Sequence, residues 1–226
     1  MSQKINPISF RLGLSQVWNN TFQLYGKNLS SYTSFLYLKL ILYNYLRRYL
    51  DSKQIFLGSL YLFILKDKII LLVIYENCFN SNLLKFEKLN LFLYFLINWN
   101  LKLYLLKQTS WVNTPALITS YIMYNRKKSS SLKKILKRVT FVLNSCLNSK
   151  KIVYNNKGPI LLRLRGFKIK ISGRFDNTRN QMSKMLSNGG GNLPLSKLNS
   201  YIEYHNSKIY TNSGLNNLQV WLFYTI

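Results

Sequence analysis

Residues 162–174 read LRLRGFKIKISGR. Along an extended chain Leu162, Leu164, Phe167, Ile169 and Ile171 fall on one side. Arg163, Arg165, Lys168, Lys170 and Arg174 fall on the other, with Gly166 shifting the register once. Alternation with period two predicts a strand that has one buried face and one wet face. Here the wet face is entirely cationic. Like charges facing each other across a sheet destabilise it, so a fold would not choose this face for stability. A partner rich in negative charge removes the conflict, and the strand reads as a surface laid on a nucleic-acid backbone.

The totals agree. The 226 residues include 32 Lys+Arg and 6 Asp+Glu, a formal charge of +26. Hydrophobic residues make up 48%, enough for the core of one or two domains rather than a disordered basic tail. A charge of this size repels itself in isolation, so the partner is a polyanion, either nucleic acid or an anionic membrane. Membrane insertion is not expected. The run IFLGSLYLFIL ends at Lys66-Asp67-Lys68, and LNLFLYFLINWNL is short and carries three asparagines. Cys78 and Cys146 are far apart and lack metal-ligand spacing, and His205 is the only histidine. With no carboxylate pair, triad or ligand cluster, the sequence predicts no metal, no cofactor and no enzyme. Lys outnumbers Arg 23 to 9 and Ala occurs once, at Ala116, a bias that suggests an A/T-rich genome such as an organelle's.

Residues 1–30 read as an irregular arm with turn signals at Asn6-Pro7, Gly13, Asn19-Asn20 and Gly26. A helix is predicted over 34–50, with Leu36, Leu40, Tyr43 and Leu50 on one stripe and Ser34 as a candidate cap. Residues 55–65 and 69–75 are apolar runs of strand length joined by a short polar loop, a hairpin signal. Both runs are nearly continuous in apolar residues, which predicts cover on both faces. A helix over 83–98 and a strand over 101–106 complete an α+β unit. Near Trp111 comes a boundary. A helix follows from Pro115, capped by Asn113 or Thr114. The next helix, 132–147, repeats apolar residues at i, i+3, i+4 and i+7. A linker through Asn155, Asn156, Gly158 and Pro159 precedes the opening strand, and Gly189-Gly190-Gly191 reads as a flexible turn. Strands are predicted over 201–210 and 218–224. The fold class is therefore α+β, and its second half is two helices packed on a small, mainly antiparallel sheet.

Between Arg126 and Lys184 stand seventeen Lys/Arg and one acid, Asp176. Lys133, Lys134, Lys137 and Arg138 lie off the apolar stripe of their helix. A merely solvated helix face would mix Glu with Lys at i, i+4 spacing, and no acid occurs there. The candidate RNA-binding residues are Lys4, Arg11, Arg126, Lys127, Lys128, Lys133, Lys134, Lys137, Arg138, Arg163, Arg165, Lys168, Lys170, Arg174 and Arg179.

Three stretches together resemble a known family, the universal third protein of the small ribosomal subunit. The first is Gln3-Lys4-Ile5-Asn6-Pro7 with Arg11-Leu12-Gly13 and Trp18-Asn19. The second is Gly166-Phe167-Lys168-Ile169-Lys170-Ile171-Ser172-Gly173-Arg174. The third is Leu193-Pro194-Leu195 with Leu198, Ile202-Glu203-Tyr204, Gly214 and Val220-Trp221-Leu222-Phe223. The resemblance implies a type II KH-like domain over 31–112, after the arm of 1–30, and a C-terminal ribosomal-protein domain over 113–226. It implies a non-catalytic constituent of the subunit head that binds ribosomal RNA, touches other head proteins and lines the mRNA entry channel. By motif position the channel residues are Lys133, Lys134 and Lys137, with Arg138 adjacent. The chain departs from the pattern at the KH nucleotide-gripping loop, where Gly-x-x-Gly is expected and Tyr75-Glu76-Asn77-Cys78-Phe79-Asn80-Ser81 stands instead. Localisation is expected in the mitochondrion rather than the plastid. A free-standing organellar RNA-binding or splicing-helper protein is the alternative.

Overall fold

The computed structural model describes residues 5–17, 29–64, 68–77, 100–128, 131–155, 158–175, 182–211 and 213–225. In chain order the elements are α1 (Pro7–Phe10), α2 (Leu29–Ser52), β1 (Ile55–Ile64), β2 (Lys68–Asn77), β3 (Asn100–Lys107), α3 (Pro115–Lys127), α4 (Leu132–Ser145), β4 (Lys150–Asn155), β5 (Gly158–Gly173), β6 (Lys184–Gly191), β7 (Tyr201–Thr211) and β8 (Gly214–Thr225). They form two compact units, Trp18–Trp111 and, separately, Met1–Val17 with Val112–Ile226. Residues 5–17 thus group with the C-terminal half.

In the Trp18–Trp111 unit, β1 and β2 pair antiparallel as a hairpin and β3 lies parallel to β2. A parallel neighbour needs a crossover of a dozen or more residues, and residues 78–99 supply the length. The helix predicted over 83–98 lies outside the described residues. Helix α2 begins at Leu29, so Ser34 sits inside it and is not its cap. Its buried side chains are Phe35, Leu42, Leu46 and Leu50, whereas Leu40 is exposed. They meet Ile55, Leu57, Leu62, Ile69, Leu71 and Val73 of the sheet. Burying each such side chain contributes about 1.5–3 kcal/mol. On β2, Ile69, Leu71 and Val73 are wholly buried while Ile70, Leu72 and Ile74 are half-buried, so cover is complete on one face only.

The other unit is a five-stranded antiparallel sheet carrying α3 and α4 on one face. The order is β4-β5-β8-β7, and β6 pairs with β5 beyond the end of β4. The first half of β5 holds β4 and the second half holds β6, along the same edge. Against β8 a register shift falls between Leu164 and Gly166, which makes Arg165 the bulged residue. Leu162, Leu164, Phe167, Ile169 and Ile171 are buried, as the alternation requires. Thr114 caps α3 by accepting from the Leu117 N–H at 3.4 Å, and Pro115 opens its first turn. Val139 and Leu143 of α4 are wholly buried, as are Ile169, Leu218, Val220 and Leu222 of the sheet.

Two strands stand where the sequence reads as linker and turn. Residues 150–155 form β4, and Gly189-Gly190-Gly191 ends β6. Glycine is needed at the close of β6 for sterics. A Cβ on Gly190 would run into Asn144 Oδ1 of α4 and the Phe167 ring, and Gly191 adopts φ +68° against the Arg165 carbonyl. The bare backbone lets α4 settle onto the sheet.

Candidate nucleic-acid interface

The α-over-β layering sorts the cations onto two surfaces. In an antiparallel ladder, directly opposed residues project to the same side. Phe167, Ile169 and Ile171 face Leu222, Val220 and Leu218, and this side carries the helices. Lys168 and Lys170 face Trp221 and Gln219, which in turn face Tyr204 and Asn206 of β7. Farther along, Arg163 stands opposite Lys150 of β4, both exposed. This open face therefore holds a cross-strand pair of like charges, which costs stability until an anion bridges it.

Aromatic surface lies among these charges. The Tyr204 and Trp221 rings are 5.3 Å apart and tilted, and the Tyr204 hydroxyl accepts from Gln219 Nε2 at 3.2 Å. Burial raises the Tyr204 hydroxyl above its ordinary pKa, so it stays neutral.

The second surface is the outward side of α4. Leu132, Ile135, Leu136, Val139 and Leu143 face the sheet, and Lys133, Lys134, Lys137 and Arg138 are exposed. The cations of β5 and of α4 thus point away from opposite sides of one two-layer unit, not into a single patch.

The remaining candidates separate. Arg126 is half-exposed and Lys127 and Lys128 are exposed at the C-terminal end of α3, where cations suit the helix dipole. The Lys128 ammonium lies 4.6 Å from the Tyr124 ring centroid. Arg165 is exposed at the bulge, and its Nη1 donates to Asn148 Oδ1 at 3.2 Å. Arg174 is half-buried just past β5. Lys4 and Arg179 lie outside the described residues.

Arg11 is a correction. It has 0% exposure, which no phosphate could reach. Its Nη1 donates to the Pro7 carbonyl at 3.1 Å, Nη2 to the carbonyls of Leu195 and Lys197 at 2.9 and 2.6 Å, and Nε to Ser200 Oγ at 3.3 Å. Carbonyl dipoles replace its hydration, and the residue fastens the N-terminal segment to the loop before β7. Gln16 continues the clasp by donating to the Ile202 carbonyl.

Little anionic charge opposes these surfaces. Of the six acids, only Asp176 and Glu203 lie in this unit. Glu203 is half-buried and paired with Lys151 Nζ at 2.6 Å, and Lys151 also donates to the Asn113 carbonyl at 2.8 Å. Asp176 is outside the described residues. Among the described residues no group of three His, Cys, Asp or Glu could hold a metal ion. His205, the candidate ligand by residue type, has its Nδ1 3.1 Å from Thr119 Oγ1 and joins β7 to α3. Cys146 is a half-buried free thiol, and Cys78 is outside the described residues. Among the described residues no helix is long and apolar enough to cross a membrane.

No family model matches the chain. A curated relative does: the chain is 37% identical to "Small ribosomal subunit protein uS3m" of Chondrus crispus over 231 residues, covering 100% of this chain and 95% of the relative. The chain belongs to the uS3m family. The sequence missed Lys150, Trp221 and Tyr204 as parts of the open face. Their places depend on cross-strand registers that no local pattern reveals.

Proposed function

We propose that this protein is a structural, non-catalytic constituent of the mitochondrial small ribosomal subunit. It is seated in the head on ribosomal RNA and presents α4 to mRNA at the entry channel. The observation that carries this is the two-sided charge. The open sheet face brings Lys150, Arg163, Lys168 and Lys170 to one side, and α4 brings Lys133, Lys134, Lys137 and Arg138 to the other. A protein that neutralised one duplex would need one such surface. Two surfaces suit a protein wedged between a resident RNA and a passing one. Phosphate contacts give affinity and register but little sequence choice. That suits a channel through which every message passes. Lys in three of the four α4 positions supplies point charges without the bidentate fork of Arg.

The same proposal makes the Trp18–Trp111 unit KH-like. Its order of helix, two strands and a third strand parallel to the second supports that assignment. Without glycines at the gripping loop, this unit acts as scaffold and as contact surface for neighbouring head proteins.

Sedimentation of a native mitochondrial extract tests the proposal. The protein should travel with small-subunit particles and remain there after a high-salt wash. Recovery at the top of the gradient, as a free splicing helper would show, contradicts it.

A further inference from the structure

On the outward side of α4 one side chain does not suit a purely electrostatic surface. Phe141 is 76% exposed. It lies three residues after Arg138, four after Lys137 and seven after Lys134, on the same stripe of the helix. A ring this exposed adds little to the core, to which the helix already gives five other apolar side chains. Three cations on the two turns before it, with no acid anywhere in α4, make the surroundings of that ring complementary to a phosphate backbone.

We propose that Phe141 is a stacking platform for one base of single-stranded RNA, whose neighbouring phosphates lie on Lys134, Lys137 and Arg138. This deepens the proposed mRNA role of α4 and rests on it. Aromatic rings and cations in one groove form the arrangement by which proteins hold single strands without sequence choice, because every base has a π-face. A duplex cannot use the ring, since its bases already stack on each other. Phe141 would therefore favour the unpaired form of a message, whereas the cations hold both forms.

The test is fluorescence anisotropy of the full chain with a labelled oligouridine strand and with an RNA duplex of equal length. Phe141→Ala should weaken single-strand binding by about 5- to 150-fold, the range of one lost base–aromatic stack, and leave duplex binding unchanged. Phe141→Trp should restore binding and Phe141→Leu should not. Equal loss on both RNAs, no loss on either, or full rescue by leucine overturns the proposal; rescue by leucine would show that apolar bulk, not a stacked ring, meets the RNA. Lys134→Ala with Lys137→Ala and Arg138→Ala tests the underlying electrostatic role separately. If that triple variant binds both RNAs normally, the α4 interface itself fails, whatever Phe141 does.

Discussion

Arg11 Nη2 donates to the Leu195 carbonyl at 2.9 Å, across 184 positions of chain. The bond closes the N-terminal segment onto the loop that leads into β7. Arg11→Ala should leave the carbonyls of Pro7, Leu195 and Lys197 without this donor, together with a cavity. A loss of about 3 kcal/mol or more is expected. Arg11→Lys keeps the charge but cannot fork to four acceptors, so its loss should be intermediate. Urea denaturation of the purified chain, followed by the fluorescence of its four tryptophans, measures both. An unchanged midpoint for Arg11→Ala contradicts the clasp.

The contact between α4 and β6 makes a paired prediction. Gly190→Ala pushes a methyl into Asn144 Oδ1 and the Phe167 ring, and overpacking of this kind costs about 1–3 kcal/mol. The Asn144 side chain is exposed and can be shortened, whereas the ring is fixed in the core. Asn144→Ala in the Gly190→Ala background should therefore recover part of the loss, but not all. A double-mutant cycle on thermal unfolding reads the coupling, and strict additivity would remove Asn144 from the account.

Glu76 makes the Trp18–Trp111 unit sensitive to pH. Burial raises its carboxyl pKa from 4.5 to about 7, and Oε2 is buried with no hydrogen-bond partner among the described residues. The folded unit keeps this proton at pH values where the unfolded chain has lost it. Stability contributed by this group is therefore highest at and below about 4.5 and falls as pH rises toward about 7. Glu76→Gln should raise the melting temperature at pH 8 and do little at pH 4.5. An equal gain at both values would show that charge is not the cause.

Replacing Lys133, Lys134, Lys137 and Arg138 together by Ala should leave sedimentation with the small subunit intact and weaken engagement of structured messages. In solution, the slope of log K against log salt for single-stranded RNA should become shallower by up to about 3, since each phosphate contact contributes about 0.7. Normal translation of structured messages by such ribosomes argues against a channel role for α4.

The parts of this fold that were legible in the sequence are those where two faces differ in chemistry. Strand β5 alternates cation with aliphatic residue, and its burial follows that alternation through the Gly166 shift. Helix α4 was equally plain. Helix α2 was legible as a helix but not in its orientation. Leu and Tyr surround it, so packing against β1 and β2, rather than contrast along the sequence, selects Phe35, Leu42 and Leu46 over Leu36 and Leu40. Strand β6, KMLSNGGG, has little strand propensity, and its register on β5 and the space beneath α4 hold it extended. Arg11 looked like any basic residue of a basic chain, because its acceptors lie at the other end of the sequence.

The central claim is that the open face of the sheet lies on RNA phosphates. A cryo-EM map of the assembled small subunit tests it most directly. The account predicts ribosomal RNA phosphate oxygens within hydrogen-bonding distance of Arg163, Lys168 and Lys170, with the Lys150–Arg163 pair bridged by an anion. Those side chains facing bulk solvent, lipid or a carboxylate-lined protein surface in that map would contradict it.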